Sequence, residues 1–175
     1  MEAVITYTSS SQAAAPKTAP TPARAAGAIA LAGFAAGLCD FLYASGMALS
    51  KGGSPLEPWR GVAGVLIGSP AREGGIDMAF LGVATHFFIT FVAAAMLYLI
   101  MARVAWFSAR PLITGVLFGI GVLLVMNYVV LPLSRVGRPI YPVETLHIMA
   151  FWHIVLVGLP TSFVIARGLK DKPQH

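Results

Sequence analysis

Four long apolar runs, separated by short polar segments, dominate the pattern along the chain. Three of them contain no charged residue, and the run from 25 to 50 contains only Asp40. A helix needs about 20 consecutive apolar residues to cross the hydrocarbon core of a bilayer. The pattern therefore predicts an all-α, integral membrane four-helix bundle. The expected helices cover residues 25–50, 77–102, 111–134 and 144–167.

The segments around these runs have a different character. Residues 58–68, PWRGVAGVLIG, predict a short helix with Trp59, Val62 and Leu66 on one face. We expect this helix to lie in the membrane interface, with Trp59 at the level of the lipid headgroups. Residues 1–24 are rich in Ala, Pro, Ser and Thr and predict a flexible tail. Residues 168–175 predict a polar C-terminal tail.

Composition and charge support a membrane protein and exclude a nucleic-acid-binding one. Only 11% of the residues are charged, against about 25% in soluble domains. The net charge of +5 comes from basic residues at the ends of the apolar runs, where they act as interfacial anchors and topology signals. We therefore expect the lipid bilayer, and no nucleic acid, as a partner. Both termini fall on one side, which holds seven of the 12 Lys and Arg residues and is predicted to be cytoplasmic.

Asp40 is the one charged residue inside an apolar run. An aspartate at the centre of a spanning helix costs roughly 2.5–3.5 kcal/mol on insertion scales, so it should face other helices and not lipid. Gly33, Gly37 and Asp40 are spaced four and three residues apart and share one helix face. Because small residues allow close helix approach, this face is predicted to be the buried side of the first helix.

Three other polar side chains are expected at a similar depth. At ~1.5 Å per residue, Asp40, His86 and His153 lie ~13–15 Å from the outer ends of their helices, and Asn127 ~10 Å. We therefore predict a buried polar cluster of these four residues, which are candidates for binding protons or a small ligand. An aspartate beside a histidine can keep it charged or share a proton with it. The amide of Asn127 can both donate and accept hydrogen bonds.

Three functional classes are compatible with such a cluster. The first handles protons or a small ligand. The second is an electron carrier in which His86 and His153 ligate a b-type haem, or join Asp40 around a metal ion such as zinc. The third is a structural or assembly factor, in which the cluster supplies interhelical hydrogen bonds worth about 0.6 kcal/mol each. The sequence contains no nucleophile–base pair or nucleotide motif, so it gives no basis for predicting an enzyme or a required cofactor.

Several segments resemble a family of small, uncharacterised bacterial inner-membrane proteins with four predicted helices. The segments are CDFLYASG, PWRGVAGVLIG, THFFI and MNYVVLPLS. The resemblance covers roughly residues 27–167 and implies a multi-pass protein of the bacterial inner membrane. It implies no activity, and it leaves open whether the chain forms a homo-oligomer or binds another membrane protein. The matching positions are Asp40, Trp59, His86, Asn127, Pro132 and Ser134.

Overall fold

The four apolar runs form four long helices in a computed structural model, which describes residues 21–170. Each of the four is long and apolar enough to cross a membrane. The prediction of an all-α four-helix membrane bundle is thus confirmed, and the helix ends agree with the expected ones to within three residues. We label the helices α1 (Pro22–Ser50), α2 (Glu57–Ile67), α3 (Ile76–Arg103), α4 (Ala105–Ala109), α5 (Pro111–Leu133) and α6 (Val143–Leu169).

The first and last described turns lie side by side. Thr21 caps α1 by accepting a hydrogen bond from the Arg24 backbone N–H, and Pro22 occupies the first turn, where no N–H is needed. The Arg24 guanidinium donates to the carbonyl oxygen of Lys170. This end of the bundle is called the termini side below, and the opposite end is called the loop side. Residues 1–20 and 171–175 of the predicted tails lie outside the described residues.

All four spanning helices meet on the termini side. There α6 packs against α1, α3 and α5, and α1 also packs against α3. Small residues on α1 and α6 allow the close approach that membrane helices need in the absence of a hydrophobic driving force between them. The resulting apolar core consists of Ala28, Ala32, Ala94, Leu97, Tyr98, Met101, Ile165 and Ala166.

Large apolar side chains cover the outside of the bundle. Phe80 and Phe88 on α3 are 69% and 67% exposed, and α1, α5 and α6 also present exposed leucine or phenylalanine side chains. A soluble monomer rarely exposes such continuous apolar surface. In a bilayer this surface faces lipid, so the exposed side chains agree with the membrane assignment.

Two prolines interrupt the spanning helices. Pro132 in α5 follows a π-helical turn at Met126–Val130, and Pro160 in α6 follows one at Ile154–Gly158. Proline has no N–H and its ring clashes with the carbonyl four residues earlier. A wider turn relieves that conflict. Each proline is therefore accommodated by a π-helical turn directly before it.

On α5 and α6, backbone contacts backbone. A Cβ atom added to Gly119 would lie 2.6 Å from the Ile154 Cα and 2.8 Å from the His153 carbonyl oxygen. A Cβ added to Gly158 would overlap the Gly115 carbonyl oxygen. The contact between these helices therefore depends on glycine.

Candidate functional site at Asp40 and His86

His86 on α3 reaches the backbone of α1. Its Nε2 atom lies 3.0 Å from the carbonyl oxygen of Gly37, and the residue is only 9% exposed. The approach is possible because Gly37 has no side chain: an added Cβ would lie 2.8 Å from the Phe87 ring and 2.9 Å from Thr90 Oγ1. A carbonyl oxygen only accepts hydrogen bonds, so Nε2 carries the proton.

The other ring nitrogen of His86 faces Asp40. Nδ1 lies 3.9 Å from Asp40 Oδ2, and this is the one ion pair within residues 21–170. In a neutral ring with the proton on Nε2, Nδ1 is an acceptor, and an ionised carboxylate is also an acceptor. The two groups therefore attract each other only when the pair holds one further proton, either on the imidazole or on the carboxyl. The geometry thus leaves room for one further proton between Nδ1 of His86 and the Asp40 carboxylate.

The two members of the pair differ in their access to the surroundings. The Asp40 side chain is 30% exposed and that of His86 is 11% exposed. Both residues lie ten positions from the loop-side ends of α1 and α3, about 15 Å along each helix. The apolar core on the termini side lies beyond them. Asp40 is thus the accessible member, and the loop side is the shorter route to it.

Trp59 on α2 covers His86. Its ring centroid lies 5.1 Å from that of His86 and 4.7 Å from that of Phe41, and its Nε1–H donates to Ser45 Oγ at 3.0 Å. The short helix is present, but Trp59 is only 2% exposed and points inward, not toward the headgroups as expected. The reason is that this pocket satisfies both the apolar ring and the polar N–H of the indole.

Asn127 is fully buried in the π-helical turn of α5, but it binds a loop and not the pair. Its Oδ1 accepts hydrogen bonds from the backbone N–H groups of Ile140 and Tyr141, each at 3.0 Å. Its Nδ2 donates to the Tyr141 carbonyl oxygen at 3.1 Å. Asn127 therefore fastens the segment between α5 and α6, and so positions Tyr141.

Replacement of Asn127 with alanine should detach this segment. Two part-buried N–H groups and one carbonyl lose their partner, which we expect to lower the free energy of unfolding by about 1–3 kcal/mol. Hydrogen exchange at the Ile140 and Tyr141 amides should accelerate. The control is Tyr128→Phe, at an exposed neighbour. Unchanged exchange at both amides would contradict the role assigned to Asn127.

Tyr141 lies outside the spanning helices, yet the charge of Asp40 affects its pKa. Burial raises the pKa of the Tyr141 phenol, and the negative charge of Asp40 raises that pKa further. Tyr43 on α1 contacts Trp152 on α6, with ring centroids 4.4 Å apart. No signal in the sequence marks Tyr141 as a site residue, because its position depends on the hydrogen bonds that Asn127 makes to the loop.

A titration of tyrosinate absorbance should detect this electrostatic contact. The Tyr141 step should appear above the ordinary pKa of about 10, and Tyr141→Phe should remove it. Asp40→Asn should lower the pKa only part of the way, because burial is the larger cause. The raised pKa contributes stability that is present below pH about 10 and is lost as the pH rises through the folded-state value. A Tyr141 step unaffected by Asp40→Asn would contradict the contact.

His153 does not join the pair. Its Nδ1–H donates to the Met149 carbonyl oxygen of its own helix, at 2.9 Å. Within residues 21–170, no group of three His, Cys, Asp or Glu side chains is arranged to hold a metal ion. Of the four residues singled out in the sequence, the structure brings Asp40 and His86 together. It connects Asn127 to them only through the Tyr141 segment.

Comparison with known proteins does not identify the chain. No family model, curated protein or solved structure matches it. The resemblance to small bacterial inner-membrane proteins stays a prediction.

Proposed function

We propose that this multi-pass membrane protein binds one proton at the Asp40–His86 pair and uses it to couple α1 to α3. The observation that carries the proposal is the arrangement around the imidazole. With Nε2–H bonded to Gly37, only Nδ1 is left to face the Asp40 carboxylate. A proton at the pair turns two opposed acceptors into an attractive contact between two helices.

The packing of the bundle favours a proton-responsive protein over a proton channel. A channel needs a polar route across the whole membrane, whereas the termini side of this bundle is filled by the apolar core defined above. Asp40, which is the more exposed member of the pair, lies on the loop-side half. We therefore infer that protons enter and leave from the loop side. Loss of the proton then weakens the contact between α1 and α3.

The proposed setting follows from the charge bias and the family resemblance. We infer a bacterial inner membrane from the resemblance, and cytoplasmic termini from the sequence, which assigns seven of the 12 Lys and Arg residues to the side of the termini. The pair would then respond to the pH outside the cytoplasm. A second copy of the chain, or another membrane protein, would bind the lipid-facing surface and respond to the change in the contact between α1 and α3.

A haem or metal electron carrier has less support. An axial imidazole needs a free nitrogen directed at the iron. In His86 the Nε2 is bonded to Gly37, and Nδ1 lies beside its own Cβ and faces Asp40. His153 bonds within α6. The third possibility is a structural factor without site chemistry. The following experiment distinguishes it from a protein that binds a proton.

The experiment uses Trp59 as a reporter of the pair. Trp106→Phe and Trp152→Phe leave Trp59 as the one tryptophan, in contact with His86. Its emission should change in a single step as the pair gains its proton on acidification. His86→Gln should abolish the step and Asp40→Asn should move it. His153→Gln and Asp77→Asn, at a residue exposed at the start of α3, should leave it unchanged.

The same titration has a clear contrary outcome. A step that persists in His86→Gln would show that another group titrates. No step at all, combined with Asp40→Asn that alters only thermal stability, would favour the structural factor.

A further inference from the structure

A polar cavity lies on the loop side, between the end of α2 and the segment that follows α5. Its volume is about 310 Å³, which is at the lower end of the range of ligand-binding pockets. It is separate from the Asp40–His86 pair, and neither of those residues lines it. Three glycines and three arginines form most of its wall: Gly61, Gly64, Gly68, Arg72, Arg135 and Arg138.

Two turns bring the arginines to this cavity. Gly68 ends α2 with φ of +89°, and Gly137 lies between Arg135 and Arg138 with φ of +70°. Only glycine adopts such values without strain. The Arg135 N–H donates to the Val65 carbonyl oxygen at 3.2 Å, which holds the second turn against α2.

The cavity is cationic and its charge is not neutralised by the described chain. No Asp or Glu is among the described residues that line it. Within residues 21–170 the recorded ion pair is between His86 and Asp40, so none of the three arginines is paired with a carboxylate. An Arg72 Nη atom lies 3.9 Å from the position of an added Cβ on Gly61, so its guanidinium lies over the glycine wall. Three like charges around one cavity favour an anion inside it.

We propose that this cavity binds a phosphate group. Guanidinium groups bind phosphate through paired N–H···O bonds, and three of them match the several oxygens of a phosphate better than the two of a carboxylate. The cavity lies at the ends of spanning helices, where lipid headgroups supply phosphate esters and the aqueous side supplies free phosphate. The proposal is independent of proton binding at Asp40 and His86.

Calorimetric titration of the purified protein in phosphate-free detergent tests the proposal with two probes. One is inorganic phosphate, with sodium chloride at equal ionic strength as the blank. The other is a short-chain phosphatidylglycerol. Saturable binding of phosphate alone assigns the site to a soluble anion, and binding of the lipid alone assigns it to a headgroup. Saturable binding of both shows that either source can fill it. Each of these results supports the proposal if replacement of the cavity arginines also weakens the binding.

Two variants of equal net charge test that dependence. The combined Arg72→Gln, Arg135→Gln and Arg138→Gln variant should weaken binding by at least about tenfold. The control, Lys51→Gln with Arg103→Gln and Arg167→Gln, removes three exposed cations that do not line the cavity and should leave the affinity within about twofold. If the first variant does not fold, Arg138→Gln alone should weaken binding about threefold. Absence of saturable binding, or equal binding by the folded cavity and control variants, would overturn the proposal.

Discussion

Gly119→Ala should destabilise the protein by about 3 kcal/mol or more. The new methyl group would lie within 3 Å of the Ile154 Cα and the His153 carbonyl oxygen. Both are backbone atoms, so no side-chain rotation can relieve the overlap, and α5 has to move away from α6. Overpacking usually lowers the free energy of unfolding by about 1–3 kcal/mol. Because the overlap here is with rigid backbone, we expect a loss at the upper end of that range or above it.

Gly121→Ala is the matched control in the same helix. A Cβ at Gly121 meets no atom within 4 Å. Alanine should therefore be neutral, or stabilising by about 0.5–1 kcal/mol, because it restricts the unfolded backbone. Thermal unfolding of the two variants in one detergent measures the difference. Equal stability of Gly119→Ala and Gly121→Ala would contradict the backbone contact between α5 and α6.

Gly82→Ala should separate α2 from α3 and uncover His86. A Cβ at Gly82 would overlap the Trp59 carbonyl oxygen. Since this atom belongs to the backbone of α2, the helix has to shift, and Trp59 then loses its contacts with Phe41 and His86. We expect a loss of about 1–3 kcal/mol and a red shift of Trp59 emission in the single-tryptophan background.

The control for this variant lies on α2 itself. Gly64 is buried, but an added Cβ there meets no atom within 4 Å, so Gly64→Ala should be tolerated. Ser45→Ala separates the effect of the indole hydrogen bond from that of stacking, because it removes only the acceptor of Trp59 Nε1–H. If Gly82→Ala left Trp59 emission unchanged, α2 would not be seated on α3 as described.

The architecture was predictable because it depends on properties that can be read along the chain. Apolar runs of at least 20 residues with at most one charge specify spanning helices, whatever their neighbours are. The stripe of Gly33, Gly37 and Asp40 correctly indicated a buried face, since Gly37 receives His86 there. In these respects local sequence and tertiary structure agree.

The rest of the candidate site was not predictable, because depth along a helix gives only one coordinate. Asn127 and His153 have depths similar to those of Asp40 and His86, but the direction of each side chain around its helix depends on packing. Asn127 binds the Tyr141 segment and His153 binds Met149. The burial of Trp59 likewise depends on Gly82, a residue on another helix.

The central claim is that a proton is shared between His86 and Asp40, and nitrogen NMR of histidine-labelled protein tests it most directly. His86→Gln identifies the signals of His86. We expect Nε2 to stay protonated throughout the titration, and Nδ1 to gain a proton, or a hydrogen bond from a protonated Asp40, as the pH falls. Asp40→Asn should change the Nδ1 signal and spare that of His153. A His86 ring protonated on Nδ1 and free at Nε2, or one unaffected by Asp40→Asn, would contradict the account.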